Sequence, residues 1–165
     1  MARDPLSTAE LRSEIRALYE DYAECLDSEA FADWPEFFTE DARYEVISRE
    51  NHDQGLKHAP IWCQGKAMLR DRITALTSAA QYEPRALRHF IGGVRLLDAA
   101  GDGGDISARA NFLIIESLLE REPQILMIGR YLDRFRRAED GTLKLRERIC
   151  VYDNYRIRTT LVIPV

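Results

Sequence analysis

Catalysis in this chain would have to begin with its histidines. His52 and His58 lie six positions apart, with Glu50 and Asp53 beside them, and two imidazoles with a carboxylate are a ligand set for non-haem iron. Such ligands are normally presented by a helix turn or hairpin that fixes their geometry. Residues 48 to 60 carry Asn51, Asp53, Gly55 and Pro60 with little apolar content and read as a solvated loop, so no metal site is expected there. His89, in Arg88-His89-Phe90, stands near the start of a long strand-like run. A carboxylate on a neighbouring strand, Glu116, Glu147 or Asp153, would equip it for general acid–base work. A single histidine without a positioned partner reads more simply as a core residue bonded to a backbone group or a carboxylate. No catalytic residue is assigned on this basis, and His89 is the acid/base candidate only if the chain is a free-standing enzyme.

Other chemistries find less. No Gly-x-Ser-x-Gly elbow occurs, and Cys25 lies on a helical stretch where any small apolar residue would serve. Cys25, Cys63 and Cys150 are too few and too scattered for a disulfide framework or a structural zinc site, and no Cys-x-His pair offers a Rieske cluster its ligands. The run Gly101-Asp102-Gly103-Gly104-Asp105 is acidic and joins strand to strand, which makes it a hairpin loop and not a phosphate cradle. No cofactor is expected in the chain.

The elements that would position these groups change character halfway along. Ser7-Thr8-Ala9-Glu10 has capping-box spacing, and Leu11, Ile15, Leu18, Tyr19, Tyr22 and Leu26 follow at helical intervals, predicting a helix from about Thr8 to Asp27. Phe31, Trp34, Phe37 and Phe38 suggest a short helix or aromatic turn around Pro35. A short strand is expected at Tyr44-Glu45-Val46-Ile47, and a third helix from about Lys66 to Ala79. From Leu87 onward the chain alternates as long strands: Leu87 to Asp98, then Ile106 to Ile114. Next comes a strand with Ile125, Met127, Tyr131 and Phe135 on one side, and last one with Leu143, Leu145, Ile149 and Val151 on one side. Glu139-Asp140-Gly141 marks the last hairpin. Helices followed by an antiparallel meander give an α+β architecture, and strands this long must coil around whatever covers them.

At 165 residues the chain fits one domain, 1–165, with residues 1–7 expected as a flexible tail. A net charge of −5 argues against nucleic acid, and no apolar run approaches a membrane span. No cationic start followed by an apolar stretch marks a secretory signal, so a reduced, cytoplasmic protein is expected. All but three of the 23 basic residues are Arg, the exceptions being Lys57, Lys66 and Lys144. Arg130, Arg134, Arg136, Arg146 and Arg148 fall on the expected exposed faces of the last two strands. Such an array calls for carboxylates, either from neighbouring protomers in a ring or across strands of the same sheet.

The stretch from Asp27 to Tyr44 (Asp-Ser-Glu-Ala-Phe-Ala-Asp-Trp-Pro-Glu-Phe-Phe-Thr-Glu-Asp-Ala-Arg-Tyr) resembles the helix-to-strand entry of the small (β) subunits of aromatic-ring-hydroxylating dioxygenases. Met68-Leu69-Arg70-Asp71-Arg72-Ile73, Arg88-His89-Phe90-Ile91, Asn111-Phe112, Gly129-Arg130-Tyr131-Leu132-Asp133 and Leu145 to Asp153 resemble later family segments in the same order, from about Leu18 to Val165. Within the family, Ser48 to Gly55 and Cys150-Val151-Tyr152-Asp153 resemble the small subunits of terephthalate dioxygenase and salicylate 5-hydroxylase. The resemblance implies a cystatin-like (nuclear transport factor 2-like) cone, with N-terminal helices packed in a curved antiparallel sheet. It also implies a non-catalytic subunit that forms a homotrimer within a three-plus-three hexamer. The Rieske 2Fe-2S cluster and mononuclear iron would belong to a large (α) oxygenase subunit. The alternative is a free-standing isomerase or dehydratase of the same cone, using His89. A large cavity containing His89 with a carboxylate within hydrogen-bond reach would favour the enzyme, and a cone mouth plugged by side chains the subunit.

Overall fold

A computed structural model describes residues 7–78, 82–99, 104–154, 156–158 and 161–165. Helix α1 spans Thr8–Asp27, capped as its sequence implies: the Ser7 hydroxyl accepts from the Glu10 backbone N–H, and the Glu10 carboxylate accepts from the Ser7 N–H. Its apolar stripe (Leu11, Ile15, Tyr19, Tyr22, Leu26) is buried. A 3-10 turn at Trp34–Phe37 leads into strand β1, Phe38–Ser48. Then come α2 (Arg49–Asp53), β2 (Ile61–Gln64) and α3 (Lys66–Ser78). The long strands are β3 (Arg85–Ala99), β4 (Ile106–Leu118), β5 (Gln124–Arg137) and β6 (Leu143–Tyr152).

These strands form one six-stranded sheet in the order β2-β1-β6-β5-β4-β3. It coils around α1, giving the cystatin-like, nuclear transport factor 2-like α+β cone. After α3 the chain crosses to the far edge and returns through three hairpin reversals, so β6 arrives parallel to β1 while every other pairing is antiparallel. Several local expectations are corrected. The strand expected at residues 44–47 is eleven residues long, because Phe38 already pairs with Leu145 of β6. The expected loop at 48–60 opens with α2, whose start is capped by the Ser48 hydroxyl accepting from the Asn51 N–H. Most of the Gly101–Asp105 hairpin, Ala79 and the tail at residues 1–6 lie outside the described residues.

Two of the sheet's register shifts change the facing expected for β5 and β6. One falls between the pairs Ile114↔Met127 and Ile115↔Ile125, so Ile125 points outward while Met127, Tyr131 and Phe135 point in. The other falls between Arg134↔Glu147 and Phe135↔Leu145. Past it Arg148, Cys150 and Tyr152 face inward, and Ile149 and Val151 turn to the outer face. The strict alternation from Leu143 therefore misassigns every residue beyond Arg146, since one extra residue flips the face.

Gly129 lies at the tightest point of the inner wall. A Cβ there would sit 2.1 Å from the Val151 backbone oxygen and 2.8 Å from the Phe112 ring, which crosses over the glycine to stack on Tyr131 at 4.6 Å. The obstructing atoms include backbone on a paired strand, so they cannot yield. Gly129→Ala should lower unfolding free energy by about 3 kcal/mol, measured by urea titration.

Candidate functional site

The sheet brings two ionisable constellations into the interior, and neither is the set read from the sequence. The first contains His89. Its Nδ1 lies 2.6 Å from Asp27 Oδ1, and Asp27 also accepts from the His89 backbone N–H at 3.0 Å. Asp27 closes α1, where the helix dipole disfavours an anion, and these donors from β3 offset that cost. The pair ties the end of α1 to β3. The partners expected for His89 lie elsewhere. Glu116 is paired with Arg85 at 2.7 Å, Glu147 with Arg43 at 3.2 Å, and Asp153 with Arg49 at 3.3 Å. The signal missed in the sequence was an acidic residue at a helix C-terminus, which needs an answering donor.

The His89 imidazole is 0 % exposed, and its Nε2 has no hydrogen-bond partner among the described residues. A groove of about 480 Å³ between α1 and β3 includes Tyr19, Glu20 and residues 89–94. His89 is among its lining residues, although its side chain is not solvent-exposed. The imidazole is thus held by Asp27 at the junction of α1 and β3.

The second constellation is Arg148 with Asp133, both side chains wholly buried. Arg148 Nη2 and Nε donate to the two Asp133 oxygens at 2.7 and 3.1 Å, and the Tyr19 hydroxyl donates to Oδ2 at 2.8 Å. The guanidinium lies 4.1 Å from the Tyr22 ring centroid and 4.0 Å from that of Tyr131. Burial pushes the Tyr19, Tyr22 and Tyr131 phenols up, although the Arg148 charge opposes the shift. The expectation that Arg148 joins an exposed array is overturned by the β6 bulge. Asp133 could have been found in the sequence, since Tyr131, Asp133 and Phe135 share one strand face.

Below this pair the chain's own last residues close the cone. The Val165 carbonyl accepts from the Tyr22 hydroxyl at 2.8 Å and from the Tyr44 hydroxyl at 3.3 Å, and its N–H donates to the Tyr44 oxygen at 2.8 Å. Arg72 donates to the Val162 carbonyl at 2.9 Å. Ile163 and Val165 are buried, and the space left beside them and Leu87, Ile114 and Leu126 is about 10 Å³, barely one water.

The remaining candidates stay apart. His52 Nδ1 sits 3.2 Å from Asp53, and the His58 carbonyl accepts from the Asn51 side chain. Among the described residues no three His, Cys, Asp or Glu side chains converge as a metal would require. The outward arginines are answered within their own chain. Arg130 reaches Asp53, Arg134 reaches Glu147, and Arg136 and Arg146 both reach Asp41 and Asp105. Pairing across strands thus replaces the expected need for carboxylates from neighbouring protomers. All three cysteines are buried and unpaired by disulfides.

Comparisons place this geometry among known proteins. Residues 21–159 match the family model described as the ring hydroxylating beta subunit. The β 2 subunit of the terminal oxygenase component of terephthalate 1,2-dioxygenase from a Comamonas species is 37% identical, over 92% of this chain and 97% of that one. The small subunit of anthranilate 1,2-dioxygenase from Burkholderia cepacia is 34% identical over 92% of each. A crystal structure from Novosphingobium aromaticivorans, assigned as the β subunit of an aromatic-ring-hydroxylating dioxygenase, superposes with a TM-score of 0.86 at 36% identity. It covers 96% of this chain and 100% of that one.

Two outcomes follow from the interior. Arg148→Met strands the Asp133 carboxylate and should cost about 3–5 kcal/mol, whereas Arg148→Met with Asp133→Leu should recover most of that, compared by denaturant unfolding. Burial raises the Cys25 thiol from 9.0 to about 11 and lifts Cys63 and Cys150 as well. The unfolded chain therefore releases these protons first as pH rises. The stability they hold below pH 9 should decline from about pH 9 to about 11, joined at the upper end by the buried phenols. Urea midpoints across that range check the slope, and a chromogenic thiol reagent at pH 8 should find fast-reacting thiols only after denaturation.

Proposed function

This chain belongs to the family of ring-hydroxylating dioxygenase β subunits, and on that premise we propose that it is the non-catalytic structural small subunit of such an oxygenase. It assembles as a homotrimer with three large (α) subunits. Those carry the Rieske 2Fe-2S cluster and the mononuclear iron, and this chain binds neither. The complex works in the cytoplasm in the breakdown of aromatic compounds. The relatives' names, terephthalate and anthranilate dioxygenase, support aromatic carboxylates as the substrate class. No helix of the described chain is long and apolar enough to cross a membrane.

The observation that carries this reading is the filled cone. A free-standing isomerase or dehydratase of this shape needs a chamber in which an acid–base residue meets substrate. Here residues 161–165 close the cone with about 10 Å³ left beside them, and the His89 side chain is fully buried and held by Asp27. The interior is therefore built as a rigid core. Its value to an oxygenase is mechanical, because a base that does not deform holds its partners in register.

Co-expression with the large subunit should yield a stoichiometric complex, and the purified small chain should contain less than about 0.1 iron per chain by metal analysis. One iron per chain would overturn the division of labour. His89→Ala should lower stability by about 1–3 kcal/mol by stranding Asp27, while turnover per folded reconstituted complex changes less than about twofold. A thousand-fold loss in an intact complex would restore the acid–base role.

A further inference from the structure

Residues 161–165 are gripped inside the cone in the way a protein grips a peptide ligand. They belong to no helix or strand, and among the described residues no backbone-to-backbone hydrogen bond joins them to the sheet. Buried backbone is usually satisfied by a helix or strand ladder. Here side chains from four elements do it. Tyr22 of α1 and Tyr44 of β1 donate to the Val165 carbonyl, and the Tyr44 oxygen also accepts the Val165 N–H. Arg72 of α3 donates to the carbonyls of Leu161 and Val162, at 3.3 and 2.9 Å. The Cys150 thiol of β6 lies 3.6 Å from the Val165 oxygen.

What lies beneath this strap has the makeup of a ligand pocket. Tyr22 and Tyr44 are both 0% exposed, and their hydroxyls converge on one oxygen. Leu87 of β3, Ile114 of β4 and Leu126 of β5 line the same space as Ile163 and Val165. A few convergent polar groups in an apolar recess are the composition of a small-ligand site. The strands that carry the recess are hydrogen-bonded to one another and not to the strap. The chain just before the strap has anchors of its own, since Ile157 packs against the core and Arg158 donates to Gln124 at 3.2 Å.

We propose that residues 161–165 are a releasable strap over a latent binding site, and that the site takes a branched apolar group carrying a carbonyl oxygen, the chemistry it now meets in Val165. While the strap is seated, the Val165 carbonyl occupies both phenol donors, and the cone is the closed body described above. Release breaks side-chain hydrogen bonds and uncovers apolar surface, but it breaks no rung of the sheet. It is therefore a local opening and not unfolding. A ligand of the stated class binds only the open form and draws the strap out by mass action. The inference does not rest on the subunit role, because every group it uses lies within this chain.

Hydrogen exchange followed by NMR on the full-length wild-type chain tests release directly. The Val165 amide, buried and bonded to Tyr44, should be protected at least about tenfold less than the amides of Tyr131 and Cys150. Its exchange should also be insensitive to urea below the unfolding transition. Arg72→Met should speed Val165 exchange by about a further tenfold and leave the β5 and β6 amides unchanged. A Val165 amide that exchanges in step with β5 and β6, with their urea dependence, overturns the proposal. The site is tested with the full-length double variant Ile163→Asp and Val165→Asp, which expels the strap because a carboxylate finds no partner in the apolar recess. The peptide of residues 161–165, acetylated at its N-terminus, should raise the thermal midpoint of this variant saturably and leave that of the wild type unchanged. Tyr44→Phe in the same background should weaken the peptide's binding about tenfold. A folded double variant whose midpoint the peptide does not move overturns the site. If the double variant does not fold, Arg72→Met decides, and a Val165 amide left as slow as in the wild type overturns the proposal.

Discussion

The buried pair of Arg148 and Asp133 is the constraint around which the cone is arranged. Removing two charges from water costs more than their attraction returns unless every remaining donor and acceptor is well placed. Here the carboxylate accepts from Arg148 Nε and Nη2 and from the Tyr19 hydroxyl, and tyrosine rings cover the guanidinium faces, while Nη1 is buried without a hydrogen-bond partner among the described residues. Those contacts come from α1, β5 and β6 together, so they form only when all three elements are docked. The pair contributes a geometric condition more than net stability. Slipping β6 by one residue would move Arg148 to the outer face and leave Asp133 alone in the core.

The β6 bulge follows from the same condition. Leu145 must face inward to pack under Phe135, and Arg148 must also face inward, three residues later. A regular strand cannot present both on one face, because its side chains repeat every second residue. One extra residue near Arg146 resolves the conflict. Gly129 belongs to the same set of adjustments: with no side chain at that point, Phe112 can cross to stack on Tyr131, which in turn lies on Arg148.

The interior and the exterior of the sheet serve different ends. Inside, the tyrosine hydroxyls that could have bound a substrate carbonyl bind the Val165 carbonyl instead. A chamber is thereby exchanged for a packed core. Outside, the arginines of β5 and β6 are answered by Asp41, Asp53, Asp105 and Glu147 of the same chain, so that part of the sheet is electrically closed. Across β3 and β4 the facing pair Arg95 and Arg109 has no ion-pair partner among the described residues.

Much was legible in the sequence, wherever the signal is local. The limits of α1 follow from its capping box and stripe, the four long strands from alternation, and the final hairpin from Gly141 at φ +85°. The family resemblance rests on motif order, which folding does not change. What only the tertiary structure decided depends on residues far apart in the chain. The β1–β6 parallel pairing joins segments about a hundred residues apart and has no periodicity of its own to announce it. Arg148 reads as outward because alternation assumes an unbroken strand, and the bulge arises from packing against Phe135 and Asp133. Glu116 is near His89 in the sheet, yet Asp27 holds the histidine, because the docking angle of α1 brings its final carboxylate to β3. Local chemistry determines which elements form, whereas face, partner and cavity are set by what those elements meet across the core.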